Sequence, residues 1–497
     1  MSKEVETAGM PPIYDELRPL FFPDSVCVVG VSQHLWKAGS FMVRALQTFG
    51  YPGKIYPVGG RSGEMLGLQV YESIESLPES PDVAMIFVPG AALTQVVQEC
   101  KAKGIKALMA FTGGFSETLT DEGRALEAEL VKEFDGTFRM LGPNCLGYYC
   151  PAGKVTQFPG EGYSPIPGDV AFFAQSGGIS LDFARSTSGN GIHASKVVSY
   201  GNACNLNEAD FLEYFEADPD TNIISMYMEG ARDLPRFVEI LKRTTLKKPV
   251  LVWKGGLTPP GAPAALRHTA SVAGTAEEWE PLLRENGAIK MLNLPEVMDT
   301  AAAFHFYPDL VGDRVGCICG GGGNSCCASD AAYRVGLTVP EWTPETREKV
   351  QAFLPPVGAN ASNPVDTSRF LPAPTIKGML ETMAASGEID AIIVDQVIMS
   401  PELRRLMHYA DQSPMPQEPW LSDILVDIQK TYGIPCLLVM PENLDPLLQP
   451  VVEEERLRLR HYYHENGVAV YPTIDRAFRA LGHVVDHNRR VAELTGK

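Results

Sequence analysis

One histidine near the middle of the chain has surroundings that could support group transfer. His268 follows the glycine- and proline-rich loop Gly255–Gly261 and lies among small residues in the stretch ALRHTASVAG. Small neighbours leave the imidazole open to a bulky partner, and a neutral imidazole near pH 7 is a competent nucleophile. Any one of nine histidines is more often a surface or packed residue. The role of His268 therefore depends on what the fold brings to it.

Two other stretches could supply those partners, because each directly follows an apolar run. Ser176, Gly177 and Gly178 come after VAFFAQ and precede a helical pattern, so their backbone N–H groups could meet an anion. Glu229 follows IISMYM, where an α/β fold could place an acid at a strand end. Alternatively, Ser176 is only the N-cap of a tight turn and Glu229 is only a loop carboxylate.

The first third of the chain contains small-residue turns suited to a ligand that carries phosphate. Gly30 and Ser32 follow the run SVCVV without Gly-x-Gly-x-x-Gly spacing, which disfavours a nicotinamide-dependent dehydrogenase. Arg61 offers the cation that a phosphate would need within an acidic protein. The other turns are YPVGGR (56–61), VPG (88–90), TGGF (112–115) and GPNC (142–145).

The elements that must position these residues repeat along the chain as apolar runs, glycine-bearing turns and amphipathic stretches. Runs such as SVCVV and VAFFA are typical of buried parallel strands, and Ala91–Lys103 and Thr120–Glu133 are typical of helices. The rhythm breaks at Pro151–Gly168, which we interpret as a linker, and again near Asp309–Asp313. We therefore predict three α/β domains, at residues 14–155, 165–309 and 313–490.

The composition restricts the classes of partner. Across 497 residues, 42 Lys and Arg stand against 61 Asp and Glu, and the net charge of −19 disfavours nucleic acid and anionic membranes. We see neither an apolar stretch of the roughly 20 residues that span a bilayer nor a secretory signal. The ten dispersed cysteines indicate free thiols in a reducing compartment, without the paired spacing of a zinc site. A soluble cytoplasmic protein without a metal site is predicted.

The order of the motifs resembles a known family. GPNCLG, AQSGG, SYGN, MEG, HTASVAG, GGGGNS and SNPVD follow one another as in NDP-forming acyl-CoA synthetases, the ADP-forming acetyl-CoA synthetase type related to succinyl-CoA synthetase. The resemblance is to the α subunit and runs from about Leu17 to Arg489. It implies an α/β fold, with a Rossmann-like CoA-binding domain followed by two flavodoxin-like ligase domains.

The resemblance also implies a role for each candidate residue. His268 matches the histidine that is phosphorylated during turnover, Glu229 matches the carboxylate that orients it, and Asn144 matches an asparagine beside the thioester. The helix N-terminus that would receive phosphoryl oxygens is formed by Ser176, Gly177 and Gly178. The positions that match the coenzyme A site are Gly30, Ser32, Pro57, Arg61, Val88, Thr112 and Gly114.

The implied activity interconverts acyl-CoA, NDP and phosphate with a carboxylic acid, CoA and NTP, through acyl phosphate and phosphohistidine. No Walker-type Gly-x-x-x-x-Gly-Lys-Ser/Thr sequence is present. The family holds its nucleotide on an ATP-grasp domain, for which the three predicted domains leave no room. The resemblance therefore implies an α2β2 hetero-oligomer, in which Mg²⁺ with ADP or ATP binds to the β subunit and the α subunit takes a small carboxylic acid.

Two departures from the family pattern keep other functions open. Arg267 precedes the histidine, and Ala270-Ser271 replaces the usual Gly-Ala; loss of that glycine could alter the loop, although alanine tolerates ordinary φ/ψ values. The usual YPVNPK turn is YPVGGR here. One alternative is a catalytically reduced regulatory protein that binds CoA or acyl-CoA. Another is an acyl-CoA transferase or thioesterase on the same scaffold.

Overall fold

Three mainly parallel sheets organise the part of the chain that the structure, a computed structural model, describes: residues 10–157, 162–368, 371, 373–395, 420–442, 445 and 447–496. The chain divides into two compact units. The first comprises Met1–Ser188 and Ile192–Val297, and the second comprises Gly189–Gly191 and Met298–Lys497. The first two sheets belong to the first unit and the third sheet belongs to the second unit.

The first sheet is built from short, largely buried apolar runs that pair in parallel. Its strands have the order β2-β1-β5-β6-β7, with Val28 of the first strand opposite Pro57 and Met85, while β3 and β4 form a separate antiparallel pair. The strands are β1 (Ser25–Val29), β2 (Lys54–Val58), β3 (Gly63–Met65), β4 (Leu68–Val70), β5 (Val83–Ile86), β6 (Ala107–Ala110) and β7 (Arg139–Leu141). The helices of this region are α1 (Pro12–Phe21), α2 (Ala38–Phe49), α3 (Gly90–Lys103) and α4 (Asp121–Val131).

The second sheet has five parallel strands and an antiparallel hairpin at one edge. Its order is β14-β13-β12-β10-β11-β8-β9, where β8 and β9 form the hairpin. The strands are β8 (Gly147–Cys150), β9 (Val155–Thr156), β10 (Val170–Ala174), β11 (Ala194–Ser199), β12 (Ile223–Met228), β13 (Val250–Lys254) and β14 (Ile289–Met291). The helices are α5 (Gly177–Ser186), α6 (Glu208–Ala217), α7 (Leu234–Thr244), α8 (Gly261–Thr269), α9 (Ala276–Glu285) and α10 (Leu294–Phe306), within which the two units divide.

The third sheet is again parallel, in the order β16-β15-β17-β18-β19. Its strands are β15 (Val315–Cys319), β16 (Val365–Asp366), β17 (Ala391–Asp395), β18 (Cys436–Val439) and β19 (Val470–Tyr471). The described helices are α11 (Gly322–Arg334), α12 (Pro344–Gln351), α13 (Ala373–Ala385), α14 (Trp420–Tyr432), α15 (Pro450–Glu465) and α16 (Ile474–Thr495). The predicted run AIIVDQVI continues beyond Asp395 into positions outside the described residues.

The three sheets share one strand order, which locates their ligand edges. When the five parallel strands of each sheet are numbered along the chain, the order across the sheet is 2-1-3-4-5 in all three. This is the flavodoxin-like order, and its ligands bind beyond the carboxyl ends of strands 1 and 3, where the order reverses. The α/β fold expected from the motifs is thus confirmed. In the first unit, the reversal points lie after β1 and β5 and after β10 and β12.

The two sheets of the first unit share an aromatic core. Tyr14 and Phe21 of α1 each have a ring centroid 5.1 Å from that of Tyr214 on α6. The buried ammonium of Lys196 lies 2.7 Å from the Asp218 carboxylate among these rings, so its charge is paired. Side chains from both sheets can therefore meet in one site. The boundaries of the predicted domains remain predictions, and β8 and β9 lie around the start of the predicted linker while pairing within the second sheet.

Candidate active site

Glu229 is buried at the carboxyl end of β12 with hydrogen-bond partners on both carboxylate oxygens. Its side chain is 5% exposed. Oε1 accepts a hydrogen bond from the Tyr227 hydroxyl at 3.0 Å and lies 2.7 Å from Nδ1 of His268. Oε2 accepts from Oγ1 of Thr269 at 2.7 Å. A buried carboxylate needs such donors, and these three fix its orientation.

His268 lies in the last turn of α8 and is held by this carboxylate while its side chain stays 45% exposed. A carboxylate only accepts hydrogen bonds, so Nδ1 carries the proton and the lone pair is on Nε2. The hydrogen bond to Glu229 raises the pKa of His268, and partial burial opposes that rise. In this tautomer the neutral ring can act as a nucleophile through Nε2, while Glu229 stabilises the positive charge that develops.

The loop after His268 begins with a strained residue. Ala270 closes α8 with φ 54° and ψ 29°, and its N–H donates to the Leu266 carbonyl at 3.1 Å. This left-handed conformation is usual for glycine at a helix end and unfavourable for a residue with a Cβ. Alanine does not adopt ordinary backbone angles here. Glycine would make this turn without the conformational cost that alanine has here.

Gln175, directly after β10, joins this loop to the backbone of Glu229. Its Nε2 donates to Oγ of Ser271 at 2.7 Å, and Ser271 in turn shares a hydrogen bond of 2.9 Å with Thr269. Its Oε1 accepts the N–H groups of Glu229 and Gly230 at 2.5 and 3.1 Å. One buried amide thus fixes both the carboxylate and the segment that follows the histidine. The sequence analysis did not assign a role to Gln175.

A buried lysine, Lys254, contacts the backbone of Glu229. Nζ of Lys254 donates to the carbonyl oxygens of Glu229 and Gly255 at 2.6 and 2.7 Å, and it lies 4.8 Å from the centre of the Trp279 ring. Burial lowers the pKa of Lys254 to about 8. Its charge and hydrogen bonds hold the strand end that carries Glu229.

Ser176, Gly177 and Gly178 form the beginning of α5 at the same sheet edge. The Ser176 hydroxyl accepts the N–H of Ile179 at 3.4 Å, so the N-cap role is present. A Cβ at Gly177 would lie 2.9 Å from Cβ of Leu146, whereas one at Gly178 would lie 4.0 Å from Oγ of Ser176, an ordinary contact distance. The first-turn N–H groups and the helix dipole remain suited to an anion. Their role in receiving phosphoryl oxygens stays a prediction.

Asn144 connects the first sheet to the segment that carries the histidine. Its N–H donates to the carbonyl oxygen of Thr112 at 2.8 Å, and its Nδ2 donates to the carbonyl oxygen of His268 at 3.3 Å. Nδ2 also donates to Oδ1 of the buried Asn202 at 3.2 Å. The predicted residues Thr112, Asn144 and His268 therefore lie side by side.

Asn202 stands at the centre of a polar network that the sequence analysis missed. Its Nδ2 donates to Oε2 of Glu117 at 2.7 Å and to Oε2 of Glu127 at 3.0 Å. Oε1 of Glu117 accepts the N–H groups of Gly114 and Phe115 at 2.5 and 3.1 Å. The predicted site residue Gly114 is thus tied to the network through its backbone. The motif SYGN contains Asn202, but nothing in its spacing indicated these distant carboxylates.

A cavity of about 920 Å³ opens at the carboxyl edge of the first sheet. Its lining includes four of the positions matched to the coenzyme A site: Gly30, Ser32, Val88 and Thr112. Gly30 has φ 97°, and a Cβ there would lie 2.5 Å from the Phe87 carbonyl oxygen, so only glycine fits this turn.

Three predicted positions are not part of the cavity lining. Pro57 is buried within β2, Arg61 is exposed beyond the end of that strand, and Gly114 belongs to the network around Asn202. The lining does contain a cation that the sequence analysis missed, Lys37, which precedes α2, and the neighbouring Trp36. Neither residue belongs to a motif that could have indicated it.

Three family models match the chain in the order of its sheets. A CoA binding domain matches residues 24–151, a succinyl-CoA ligase like flavodoxin domain matches residues 167–304, and a ligase-CoA domain matches residues 315–404. The α subunit of ADP-forming acetate–CoA ligase I from Pyrococcus furiosus is 32% identical over 478 residues, covering 94% of this chain and 96% of that protein. The chain belongs to the ADP-forming acetate–CoA ligase family.

Other relatives agree with this membership. An ADP-forming acetate–CoA ligase from Methanocaldococcus jannaschii is 34% identical over 354 residues, and the match covers 71% of this chain but 49% of that longer protein. The solved structure of an acetyl-coenzyme A synthetase from Candidatus Korarchaeum cryptofilum, in complex with phosphate and ADP, has a TM-score of 0.82 at 28% identity. It covers 97% of this chain and 99% of the solved chain.

The described residues contain neither a membrane-spanning helix nor a cluster of metal-binding side chains. None of the helices between residues 10 and 496 that the structure describes is long and apolar enough to cross a membrane. Within the same residues, no group of three or more His, Cys, Asp or Glu side chains could hold a metal ion.

Proposed function

We propose that this chain is the acyl-transferring α subunit of an NDP-forming acyl-CoA synthetase. The observation that carries the proposal is the 2.7 Å contact between Nδ1 of His268 and Oε1 of Glu229 in the same unit as the 920 Å³ cavity. The P. furiosus relative is named an α subunit of an acetate–CoA ligase, which supports the same activity here. Relatives with ligase names do not favour a purely regulatory protein.

The proposed reaction begins at the thioester. A phosphate oxygen attacks the carbonyl carbon of acyl-CoA, the C–S bond breaks, and CoA leaves as a thiolate that takes up a proton. Asn144 lies beside this step, because it connects Thr112 at the cavity to His268. The first-turn amides of α5, at Ser176, Gly177 and Gly178, neutralise charge on the phosphoryl oxygens.

The second step transfers the phosphoryl group to the protein. Nε2 of His268 attacks phosphorus, the P–O bond to the acyl oxygen breaks, and the carboxylate product leaves. Glu229 holds the Nδ1 proton and stabilises the charged ring. The phosphoryl group then passes to a nucleoside diphosphate with Mg²⁺ on an ATP-grasp β subunit, in an α2β2 assembly, and acid activation runs the steps in reverse.

The test uses the purified full chain without a nucleotide-binding partner. We expect acetyl-CoA with [³²P]phosphate to label His268 with an acid-labile, base-stable phosphate, and to release CoA and acetate. His268→Asn should abolish the label. His305→Asn is the matched control, because His305 is an exposed histidine on α10 far along the chain.

Each alternative predicts a different result. A regulatory protein would bind CoA in calorimetry but give no label with acetyl-CoA and phosphate. A thioesterase would release CoA at the same rate without phosphate and in His268→Asn, and a transferase would release it only when an acceptor for the acyl group is added, without any need for phosphate. Either result refutes the proposed function, whereas label that requires both phosphate and His268 supports it.

A further inference from the structure

The position of the cavity on the first sheet determines which way a bound CoA must point. The cavity follows the carboxyl edge from β2, at Gly60, through β1 and β5 to β6, at Thr112. The reacting end is the β6 end, because the Thr112 carbonyl oxygen accepts the N–H of Asn144, which in turn contacts His268. The thiol of CoA belongs there. Its adenosine end must therefore lie toward β1 and β2.

That end of the cavity carries an unusual aromatic side chain. Trp36 lines the cavity although it is 77% exposed, which is rare for so large an apolar residue without a ligand or partner. The ring of His34 is inclined to it by 33°, with centroids 5.9 Å apart.

The loop that carries Trp36 is held in place. Lys37 donates its N–H to the His34 carbonyl oxygen at 3.0 Å, and His34 donates its N–H to the Ser32 hydroxyl at 3.2 Å. The backbone of Ser32 is fixed by the Ser40 hydroxyl at 2.8 Å. The indole is therefore presented on an ordered turn between β1 and the beginning of α2.

We propose that Trp36 is the platform on which the adenine ring of coenzyme A stacks. Adenine is the aromatic part of CoA, and indole is the side chain with the largest π face to receive it. Lys37, the residue before α2, and the N–H groups of that helix face the adjoining phosphates. The inference rests on the proposed function, because it takes CoA as the ligand of this cavity, and it adds a residue that sets affinity for the nucleotide part.

The experiment compares two ligands by calorimetry on the full chain. We expect Trp36→Ala to weaken CoA binding by between about fivefold and about 140-fold, because stacking contributes roughly 1–3 kcal/mol per base. Binding of 4′-phosphopantetheine, which lacks the adenosine part, should stay as before. Trp36→Phe should retain CoA affinity within about threefold. Leu35→Ala is the matched control, since Leu35 is an exposed residue of the same turn that does not line the cavity.

Fluorescence supplies a second readout. CoA should quench part of the tryptophan emission of the wild-type chain, and Trp36→Phe should lose this quenching although it still binds CoA. Equal CoA affinity in Trp36→Ala and wild type overturns the inference, and so does an equal loss for 4′-phosphopantetheine, which would mean that the loop had collapsed. If wild type binds no CoA at all, the proposed function itself fails.

Discussion

Replacing Glu229 with glutamine should weaken phosphorylation of His268 and also allow it to continue at lower pH. The carboxylate accepts hydrogen bonds from three side chains, including a contact of 2.7 Å with Nδ1 of His268. Glutamine has one acceptor oxygen and an amide that donates, so at least one of the three contacts must be lost or reversed. The bond to His268 also loses its charge.

The magnitude follows from these changes. A hydrogen bond to a charged group contributes about 1.5–3 kcal/mol and a neutral one about 0.5–1.5 kcal/mol, so the exchange costs about 1 kcal/mol. The disrupted contact with Thr269 or Tyr227 weakens the free and the phosphorylated state alike, so it cancels from their ratio. At saturating acetyl phosphate, the fraction of phosphohistidine relative to free histidine should fall by roughly fivefold, since 1.36 kcal/mol corresponds to tenfold.

Although the variant is labelled less, its labelling should persist to lower pH than that of the wild type. Protonated imidazole has no lone pair on Nε2, so labelling falls as pH drops through the pKa of His268. The hydrogen bond to Glu229 raises this pKa above its ordinary value of 6.5, and burial lowers it. In Glu229→Gln the raising cause is weakened and burial remains. The acid limb of the profile should therefore move to lower pH.

The assay measures acid-labile, base-stable label on His268 from [³²P]acetyl phosphate at a series of pH values, with ¹⁵N NMR of the imidazole as a direct titration. Glu277→Gln is the matched control, because Glu277 is an exposed glutamate in the first turn of α9. An acid limb that stays in place, or that moves to higher pH, would refute the reasoning. So would labelling of the variant at the wild-type level.

Three further substitutions test the geometry around the site. Ala270→Gly should stabilise the folded chain by about 1 kcal/mol and raise the urea midpoint, because glycine accepts φ 54° without strain; a lowered midpoint would contradict this. Asn202→Ala should destabilise the chain by about 2 kcal/mol, since it leaves buried polar groups unpaired. It should also reduce labelling of His268 but leave CoA affinity unchanged. Calorimetry with CoA and labelling on the same preparation separate these two effects. Gly30→Ala should weaken CoA binding at least tenfold, as its Cβ would lie 2.5 Å from a carbonyl oxygen, whereas Gly67→Ala, with φ 77° and open space, should only cost about 1 kcal/mol of stability.

The sequence predicted the scaffold because buried parallel strands have a distinctive composition. The runs VAFFA and IISMYM are almost entirely apolar, and each forms one strand of the second sheet. The predicted helix Ala91–Lys103 differs from the observed α3 by one residue at its start. Glu229 and Ser176 could be singled out for the same reason, since each follows a strand that borders the reversal point of its sheet.

The rest of the site depended on contacts between distant positions. Asn202 meets Glu117 and Glu127 across 85 and 75 residues, and no local pattern encodes such a pairing. Arg61 was predicted as the cation that meets a phosphate, but it is not among the residues that line the cavity, whereas Lys37 is. The backbone angle of Ala270 also could not be predicted, because it is imposed by the turn rather than preferred by alanine.

The hairpin of β8 and β9 has a consequence for how such chains can be recombined. Residues 147–156 extend the second sheet, while Asn144, just before them, is held by the first sheet and by His268. Suppose that two relatives exchange their first domains at a junction near residue 155. The second sheet of the chimera would then receive its edge hairpin from the other parent. A junction between β7 and Asn144 would instead keep the hairpin, the asparagine and the histidine from one parent. Chimeras with a working acyl site should therefore be those joined between β7 and Asn144.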